Sequence, residues 1–399
     1  MSEFDTVIVN GVTVLIFMLH ILNSSCTYFL GYRRTLLYAD KREYYSKIVD
    51  TTLNLLFFII KIIVIIQTKN YLFFLGISIA QAILGNLIIY YICSKYYQYL
   101  TKIKVKFADI SELWPDMKNI VVSRAAGYIY GSTDNIIISA FVGAVSVGYI
   151  VNYTTVINAV GSVVNSIRNP ITPMVGNLIA DNRGEEHLKR VFYTYSYIQF
   201  LMAIYFLVPI IVLIQPFISL WIGSEYLLPI PIVYLYAMDK YISYVHGTLT
   251  DYINGSGLFR EDKYIEVAGA VVNLLVSILL AYKIGIAGVL AGTVVAQMVF
   301  WIGRSVVVFK YCFPTLKSGL LKYWLVNIGG GIVFIITTAA CIYIQSKINL
   351  KSGILDLIIG LIICEGIVTL INLICFQRTK DFKETLSFIK GIIPKKRSE

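Results

Sequence analysis

Residues 49–67 read VDTTLNLLFFIIKIIVIIQ, and from residue 55 to residue 66 every side chain except Lys61 is apolar. A helix that crosses a lipid bilayer needs about 20 predominantly apolar residues. The stretch is long enough, and it contains neither proline nor glycine to end a helix early. It therefore predicts a membrane-spanning helix.

The composition extends this prediction to most of the 399 residues. Apolar residues make up 57% of the chain and charged residues 14%, and the mean hydropathy is +0.73. Soluble domains have about a quarter of their residues charged. A soluble chain of this size could not bury so much apolar surface, so lipid must be the solvent for most of it. A cytosolic enzyme, a secreted disulfide scaffold and a nucleic-acid-binding domain are thereby excluded.

Eleven intervals are long and apolar enough to cross a bilayer, which predicts an all-α integral membrane protein. The gaps between them are short, so little of the chain remains for an extramembrane domain. The predicted spans are 7–31, 49–67, 71–94, 119–141, 146–172, 191–216, 229–253, 264–282, 285–309, 321–345 and 354–376.

The basic residues of the loops predict the orientation of these spans. When the loops are assigned to alternate sides, 25 of the 34 Lys and Arg residues fall on one side and 4 on the other. Loops rich in Lys and Arg stay in the cytoplasm. We therefore expect a multi-pass protein of the bacterial cytoplasmic membrane, with its C-terminus in the cytoplasm and its N-terminus outside. The net charge of +11 reflects this loop distribution and predicts no nucleic-acid partner.

Polar side chains recur on one face of three predicted spans. A charge at the bilayer centre costs about 2.5–3.5 kcal/mol on insertion scales, so such residues usually face protein or water. Lys61, Asp251 and Arg304 are placed near enough to span ends for their charged groups to reach the interface. The others follow helical spacing and include Arg124 and Asp134 on the fourth span, Asn158, Asn165 and Arg168 on the fifth, and Asp239, Lys240 and His246 on the seventh.

We interpret these faces as the lining of a water-filled cavity, although Ser, Thr, Asn and Gly also line dry helix contacts in membranes. Lys and Arg in a cavity suit an anionic passenger, and the guanidinium group matches phosphate oxygens. The predicted substrate-binding residues are Arg124, Arg168, Lys240, Asn158 and Asn165. Asp134 and Asp239 are predicted either to pair with these cations or to bind the coupling ion, H⁺ or Na⁺.

Motifs for catalysis and cofactor binding are missing from the sequence. It has no Gly-x-x-x-x-Gly-Lys-Ser/Thr loop, no His/Glu zinc spacing and no Gly-x-Ser-x-Gly elbow. The six cysteines show no Cys-x-x-Cys or Cys/His spacing, so no metal site is expected. We therefore expect neither an enzyme nor a cofactor, and we assign no catalytic residues.

Several short motifs resemble one family of transporters. They are STDNIIIS at 132–139 followed by VGY at 147–149, WIGSEY at 221–226, YINGSG at 252–257, GIAGVLAGT at 285–293 and RTLLYAD at 34–40. Taken in the order in which they occur along the chain, these motifs resemble those of Wzx-type oligosaccharide-lipid flippases of the multidrug/oligosaccharidyl-lipid/polysaccharide exporter superfamily. Asp134 falls at the position that matches the family's seventh span.

This resemblance implies a fold and an activity. Members of the family usually have fourteen spans, arranged as two six-helix lobes and an extra pair, so eleven spans imply a chain truncated at its N-terminus. The implied divisions are a partial N-lobe at 1–100, a cytoplasmic linker at 101–118, a C-lobe at 119–310, an extra helix pair at 311–376 and a basic tail at 377–399.

The implied function is translocation of polyprenyl-diphosphate-linked oligosaccharide repeat units for capsule, O-antigen or another surface polysaccharide, by alternating access. Its partners would be the lipid-linked oligosaccharide, membrane lipid, H⁺ or Na⁺ and polysaccharide assembly proteins. Two alternatives stay open. One is a drug/cation antiporter of the same superfamily, and the other is a membrane-embedded polysaccharide polymerase or acyltransferase, for which His20 and His246 are the intramembrane histidines.

Overall fold

The computed structural model describes residues 3–29, 31–40, 42–98, 114–168, 171–181, 184–314, 319–347 and 353–392. Throughout these ranges the regular structure is helical. Nine of the described helices are long and apolar enough to cross a membrane. The protein is therefore a multi-pass membrane protein of the all-α class, as its sequence predicts.

The helices follow one another along the chain in the order of their numbers. They are α1 (Glu3–Tyr28), α2 (Tyr32–Ala39), α3 (Glu43–Thr68), α4 (Tyr71–Tyr96), α5 (Trp114–Phe141), α6 (Ala144–Arg168), α7 (Ile171–Ala180), α8 (Glu185–Trp221), α9 (Ile230–Val245), α10 (Gly247–Ser256), α11 (Phe259–Ile284), α12 (Ile286–Tyr311), α13 (Gly319–Lys347), α14 (Ile354–Phe376) and α15 (Lys380–Ile392).

The chain divides into two compact units, residues 1–110 and residues 111–399. The predicted lobe, linker and tail boundaries stay predictions, and most of the predicted linker lies outside the described residues. In the first unit, α4 packs against both α1 and α3, and the short helix α2 rests on α3 and α4. Asn86 of α4 fixes the end of α1, because its amide nitrogen donates to the carbonyls of Cys26 at 2.8 Å and Phe29 at 2.7 Å.

The second unit is organised around α11 and α12, which pack against each other over most of their length. Glycine makes this close approach possible. A Cβ added at Gly292 of α12 would overlap Ser277 of α11, and one added at Gly288 would overlap the backbone of Leu280. Small residues four apart serve this purpose in membrane helix pairs. Helix α5 packs along α11 and also contacts α12.

Helix α8 is the longest of the described helices and connects the two ends of the second unit. Its 37 residues extend over about 55 Å, whereas the hydrocarbon core is about 30 Å thick. At its N-terminal end, Phe192 is fully buried and packs edge-on against Tyr252, with ring centroids 5.0 Å apart. The C-terminal helix α15 packs on the same end of α8, where Glu384 accepts from Arg190 at 2.9 Å.

Two of the eleven predicted spans differ from the other nine. The predicted span 119–141 lies within α5, which carries ionisable residues along its length and does not meet the apolarity required of a span. The predicted span 229–253 divides into α9 and α10 at His246. Average hydropathy does not register this division because both halves are apolar.

Candidate functional site: ionisable side chains at membrane depth

Asp134 belongs to a cluster of oxygen atoms formed by three helices. Its Oδ2 atom accepts a hydrogen bond from Thr293 Oγ1 of α12 at 2.7 Å. Asn273 of α11 donates through Nδ2 to the same threonine oxygen at 3.1 Å. One turn further along α11, Ser277 Oγ donates to the carbonyl of Val289 at 3.0 Å. The cluster holds α5, α11 and α12 together through polar groups.

The cluster also contains oxygen atoms that have no hydrogen-bond partner. Asp134 Oδ1 and Asn273 Oδ1 are both shielded from the surroundings, and neither accepts a hydrogen bond from any residue that the structure describes. Burying an acceptor without a partner costs about 1–3 kcal/mol. A proton or a hard cation such as Na⁺ would offset this cost, because such ions take oxygen ligands. The arrangement fits the predicted role of Asp134 in ion binding.

Asp239 and Lys240 belong to a second polar group, in the C-terminal half of α9. The Lys240 ammonium lies 3.0 Å from Asp239 Oδ2. The other carboxylate oxygen of Asp239 accepts from Gln297 Nε2 at 2.8 Å. The Oε1 atom of Gln297 lies 2.9 Å from His246 Nε2, so His246 carries a proton on Nε2 when the amide has this orientation. Its Nδ1 atom then has an unused lone pair, and the structure describes no partner for it.

Helix α12 connects the two groups. Thr293, which binds Asp134, and Gln297, which binds Asp239, are four residues apart and therefore lie on the same face of the helix. A movement of α12 that changes one contact must also change the other. The two predicted ion-binding carboxylates are thus linked by a single helix face.

Arg168 is the last residue of α6 and pairs with Asp251 of α10. Its Nε atom donates to Asp251 Oδ2 at 2.8 Å and its Nη2 atom to Oδ1 at 3.1 Å. The same Nη2 donates to the carbonyl of Gly247 at 2.9 Å, at the break between α9 and α10. Tyr195 of α8 also donates to Asp251, at 2.6 Å. The side chains of Arg168 and Asp251 are 19% and 4% exposed, so this is a largely buried ion pair.

Arg304 forms a comparable buried group between α11 and α12. It donates to Asp262 at 2.8 Å and also pairs with Glu266, and its side chain is 7% exposed. The expectation that Arg304 and Asp251 reach the membrane interface is therefore wrong: protein carboxylates and cations surround them instead. Arg124 is exposed on α5 and forms no ion pair with the residues that the structure describes.

The predicted site residues are thus placed in different surroundings. Arg168 and Lys240 each pair with a carboxylate, whereas Arg124, Asn158 and Asn165 are exposed. No role was predicted from the sequence for three residues that contact the predicted carboxylates or complete their groups: Asn273, Thr293 and Gln297. His246, the fourth such residue, was predicted to lie on the polar face of its span, without a binding role. The spacing of Thr293 and Gln297, four apart in the otherwise apolar stretch 286–303, is the sequence signal that could have identified two of them.

The fold and these groups can now be compared with known proteins. No protein-family model matches the sequence, and no curated protein sequence matches it. Among solved structures, the chain is similar to the lipid II flippase MurJ in its inward closed conformation, with a TM-score of 0.58 and 15% sequence identity. The similarity covers 91% of this chain and 75% of the MurJ chain. The chain shares the MurJ fold.

Proposed function

We propose that this protein moves polyprenyl-diphosphate-linked oligosaccharides across the cytoplasmic membrane for surface polysaccharide assembly, by alternating access and without catalysing a reaction. The observation that carries the proposal is the fold shared with MurJ, a lipid II flippase. The Wzx-type motifs of the sequence narrow the passenger to an oligosaccharide repeat unit. The proposed orientation has the C-terminus in the cytoplasm, where polysaccharide assembly proteins would meet it.

The passenger's diphosphate would be held by cations in the second unit. Arg124 is exposed on α5 and has no carboxylate within ion-pair distance in the described part of the chain. Lys240 is 32% exposed and pairs with the neighbouring Asp239. A diphosphate would bind Arg124 without displacing a carboxylate, and it would compete with Asp239 for Lys240. Charge-assisted hydrogen bonds to phosphate oxygens are short and strong, which favours the diphosphate. The exposed amides of Asn158 and Asn165 on α6 would bind sugar hydroxyls.

The coupling ion, H⁺ or Na⁺, would bind at Asp134. Cation binding there would neutralise the Asp134 carboxylate and use its free Oδ1 atom. This changes the contact with Thr293, and Gln297 on the same face of α12 carries the change to the Asp239–Lys240 pair. Ion binding would thereby alter how strongly Lys240 holds a phosphate.

The alternative of a drug/cation antiporter is less favoured by the surroundings of the acidic residues. Asp239, Asp251 and Asp262 each pair with a Lys or Arg of the protein. A cationic passenger would have to displace those partners. An anionic passenger has an unpaired cation available in Arg124, which is exposed and has no carboxylate within ion-pair distance in the described residues.

Transport can be tested with purified protein in proteoliposomes that contain a fluorescent polyprenyl-diphosphate oligosaccharide. A membrane-impermeant reductant quenches the label in the outer leaflet, so the rate of quenching reports translocation. We expect Arg124→Glu to reduce this rate at least about tenfold, equivalent to about 1.4 kcal/mol. Lys118→Glu makes the same charge change near the start of the same helix and should leave the rate within about twofold. Equal rates for the two variants would contradict the role of Arg124, and efflux of an organic cation without lipid translocation would favour the antiporter.

The role of Asp134 needs a separate measurement, the dependence of transport on an imposed Na⁺ or pH gradient. Asp134→Asn should remove the response to the gradient, because the amide binds neither a proton nor Na⁺ as the carboxylate does. Glu225→Gln, an exposed carboxylate in the loop after α8, should retain the response. A full response in Asp134→Asn would show that coupling occurs elsewhere.

A further inference from the structure

The first unit contains an open polar cavity of about 570 Å³ that the proposed function does not use. Helices α1, α3 and α4 all contribute to its wall, and Arg34 of α2 lies at one end. The polar side chains in the wall that bear on its chemistry are His20, Asn23, Arg34, Asp50, Asn54 and Lys61. Apart from Arg34, these residues belong to helices long and apolar enough to span a membrane, so the cavity lies at membrane depth.

Lys61 extends into this cavity from the middle of an apolar helix. Its ammonium donates to Gln81 Oε1 at 2.7 Å and lies 5.3 Å from the centre of the Phe74 ring. The amide nitrogen of Gln81 in turn donates to Asn54 Oδ1 at 2.6 Å. These contacts direct the Lys61 ammonium along α3 toward Asn54.

Arg34 lies in the same cavity, one helical turn beyond Asn54. Its Nη1 atom lies 2.7 Å from the carboxylate of Asp50, and its Nε atom lies 3.4 Å from Asn86 Oδ1. Asp50 precedes Asn54 by four residues, a rise of about 6 Å along the helix. The two cationic groups therefore lie at least one helical turn, about 6 Å, apart along the wall of this cavity, and a phosphate with a bound water, or a diphosphate, extends that far.

Both cations have donor capacity that the protein does not use. An ammonium has three N–H bonds and a guanidinium has five, and within the described residues Lys61 uses one and the Arg34 Nη2 atom makes no hydrogen bond. Asn23 Oδ1 is shielded and accepts no hydrogen bond from the described chain. With His20 neutral, Arg34, Lys61 and Asp50 give the cavity a net charge of +1. An uncompensated charge at membrane depth is costly.

A smaller cavity of about 330 Å³ provides an approach to this site. It is lined by residues of α2 and of the first turns of α3, and it shares Arg34 and Asp50 with the larger cavity. The Arg34–Asp50 ion pair thus separates the two. Its side chains are 30% and 41% exposed, so a competing anion can reach the guanidinium.

We propose that the larger cavity binds a phosphate or diphosphate ester, the headgroup of a membrane lipid, between Arg34 and Lys61. On binding, the phosphate takes the place of Asp50 at the guanidinium group and accepts from the Lys61 ammonium. The site is formed by residues of the first unit alone. It is a binding site whether or not the protein transports oligosaccharides.

Native mass spectrometry of the purified protein released from nanodiscs tests this proposal. Three probes are added in separate experiments: undecaprenyl diphosphate, phosphatidylglycerol and inorganic pyrophosphate. At least one probe should bind saturably. The probe with the lowest Kd shows whether the bound phosphate belongs to a polyprenyl diphosphate, a phospholipid or a free anion. Arg34→Gln and Lys61→Gln should each weaken that binding at least about tenfold. Arg33→Gln removes a positive charge next to Arg34, and Lys69→Asn removes one just after the end of α3. Neither residue lines the cavity, so both variants should bind like the unaltered protein.

Asp50→Asn provides a test that does not depend on loss of function. It removes the carboxylate that competes for Arg34 and raises the net charge of the cavity from +1 to +2. Binding of the same probe should tighten several-fold, whereas Asp40→Asn, which removes the same charge just after α2 and outside both cavities, should leave it unchanged. The proposal is overturned if no probe binds, if Asp50→Asn weakens binding, or if Arg34→Gln, Lys61→Gln and the two controls bind equally. Because the readout is binding, failure of transport would leave these outcomes unaffected.

Discussion

The ion pair between Arg168 and Asp251 should contribute strongly to the stability of the second unit. The guanidinium group donates two hydrogen bonds to a carboxylate whose side chain is 4% exposed. Two unit charges 4 Å apart interact by about 4 kcal/mol at an effective dielectric constant of about 20. Removing one partner of a buried pair typically costs about 3–5 kcal/mol, because the other charge is left without compensation.

Arg168→Gln should therefore lower the Tm by ~5–10 °C. Asp251→Asn should also lower it, because the arginine then remains in the protein with one fewer counter-charge. The double variant Arg168→Gln/Asp251→Asn removes both charges and should recover at least about half of the loss. Tyr195 keeps a hydrogen-bond acceptor at position 251 in every variant. Tryptophan fluorescence during heating in detergent measures the four Tm values of this cycle.

A more exposed ion pair in the same unit supplies the control. Lys189 and Glu186 lie 3.5 Å apart in the first turns of α8, and their side chains are 25% and 88% exposed. Exposed pairs contribute about 0.2–1 kcal/mol, so the cycle with Lys189→Gln and Glu186→Gln should show little coupling. If the coupling between Arg168 and Asp251 is no larger than that of the exposed pair, the inference that burial makes this pair important is refuted.

Three further predictions concern packing, hydrogen bonding and pH. Gly292→Ala should lower the Tm by several degrees, because the added Cβ would overlap Ser277, whereas Gly329→Ala has no atom within 4 Å of its Cβ and should leave the Tm unchanged. Tyr153→Phe should cost about 1–3 kcal/mol of unfolding free energy in denaturant titrations, because the Leu228 N–H that donates to this hydroxyl at 3.0 Å loses its partner. Burial raises the pKa of Asp381 in α15; the folded state therefore holds this proton more tightly than the unfolded state, and the docking of α15 should weaken as pH rises through the raised pKa. The protection factors of residues 380–392, which correct for the intrinsic pH dependence of hydrogen exchange, should fall over that range, and Asp381→Asn should flatten the dependence. Protection that rises with pH would contradict the sign.

Most of the fold could be predicted from the sequence because a bilayer imposes a simple length and apolarity requirement. Nine of the eleven predicted spans coincide with long apolar helices. The break at His246 was not predicted, because both halves of the 229–253 interval are apolar and a hydropathy average does not register a change of backbone direction. The end of α6 at Arg168 is fixed by contacts with Asp251 and Gly247, which are far away in the sequence.

The sequence predicted several of the polar residues of the candidate site, but it did not predict which of them contact each other. Helical periodicity identified the faces that carry Asp134 and Arg168, because spacing is a local property. The partner of Arg168 lies 83 residues away and that of Asp134 lies 159 residues away, and no local pattern specifies such contacts. Gln297 reads as one polar residue in an apolar helix, so its role between Asp239 and His246 appears only in the three-dimensional arrangement.

The length of α8 has a practical consequence for following transport. The helix has no proline between Glu185 and Pro209, so this continuous segment connects membrane depth with the surface on which α15 rests. A tilt of α8 within the bilayer would therefore displace α15, which packs on the N-terminal end of α8. A fluorophore on a cysteine introduced at Ser387, an exposed position of α15, would therefore report the transport cycle from outside the lipid and leave the polar groups of the interior unmodified.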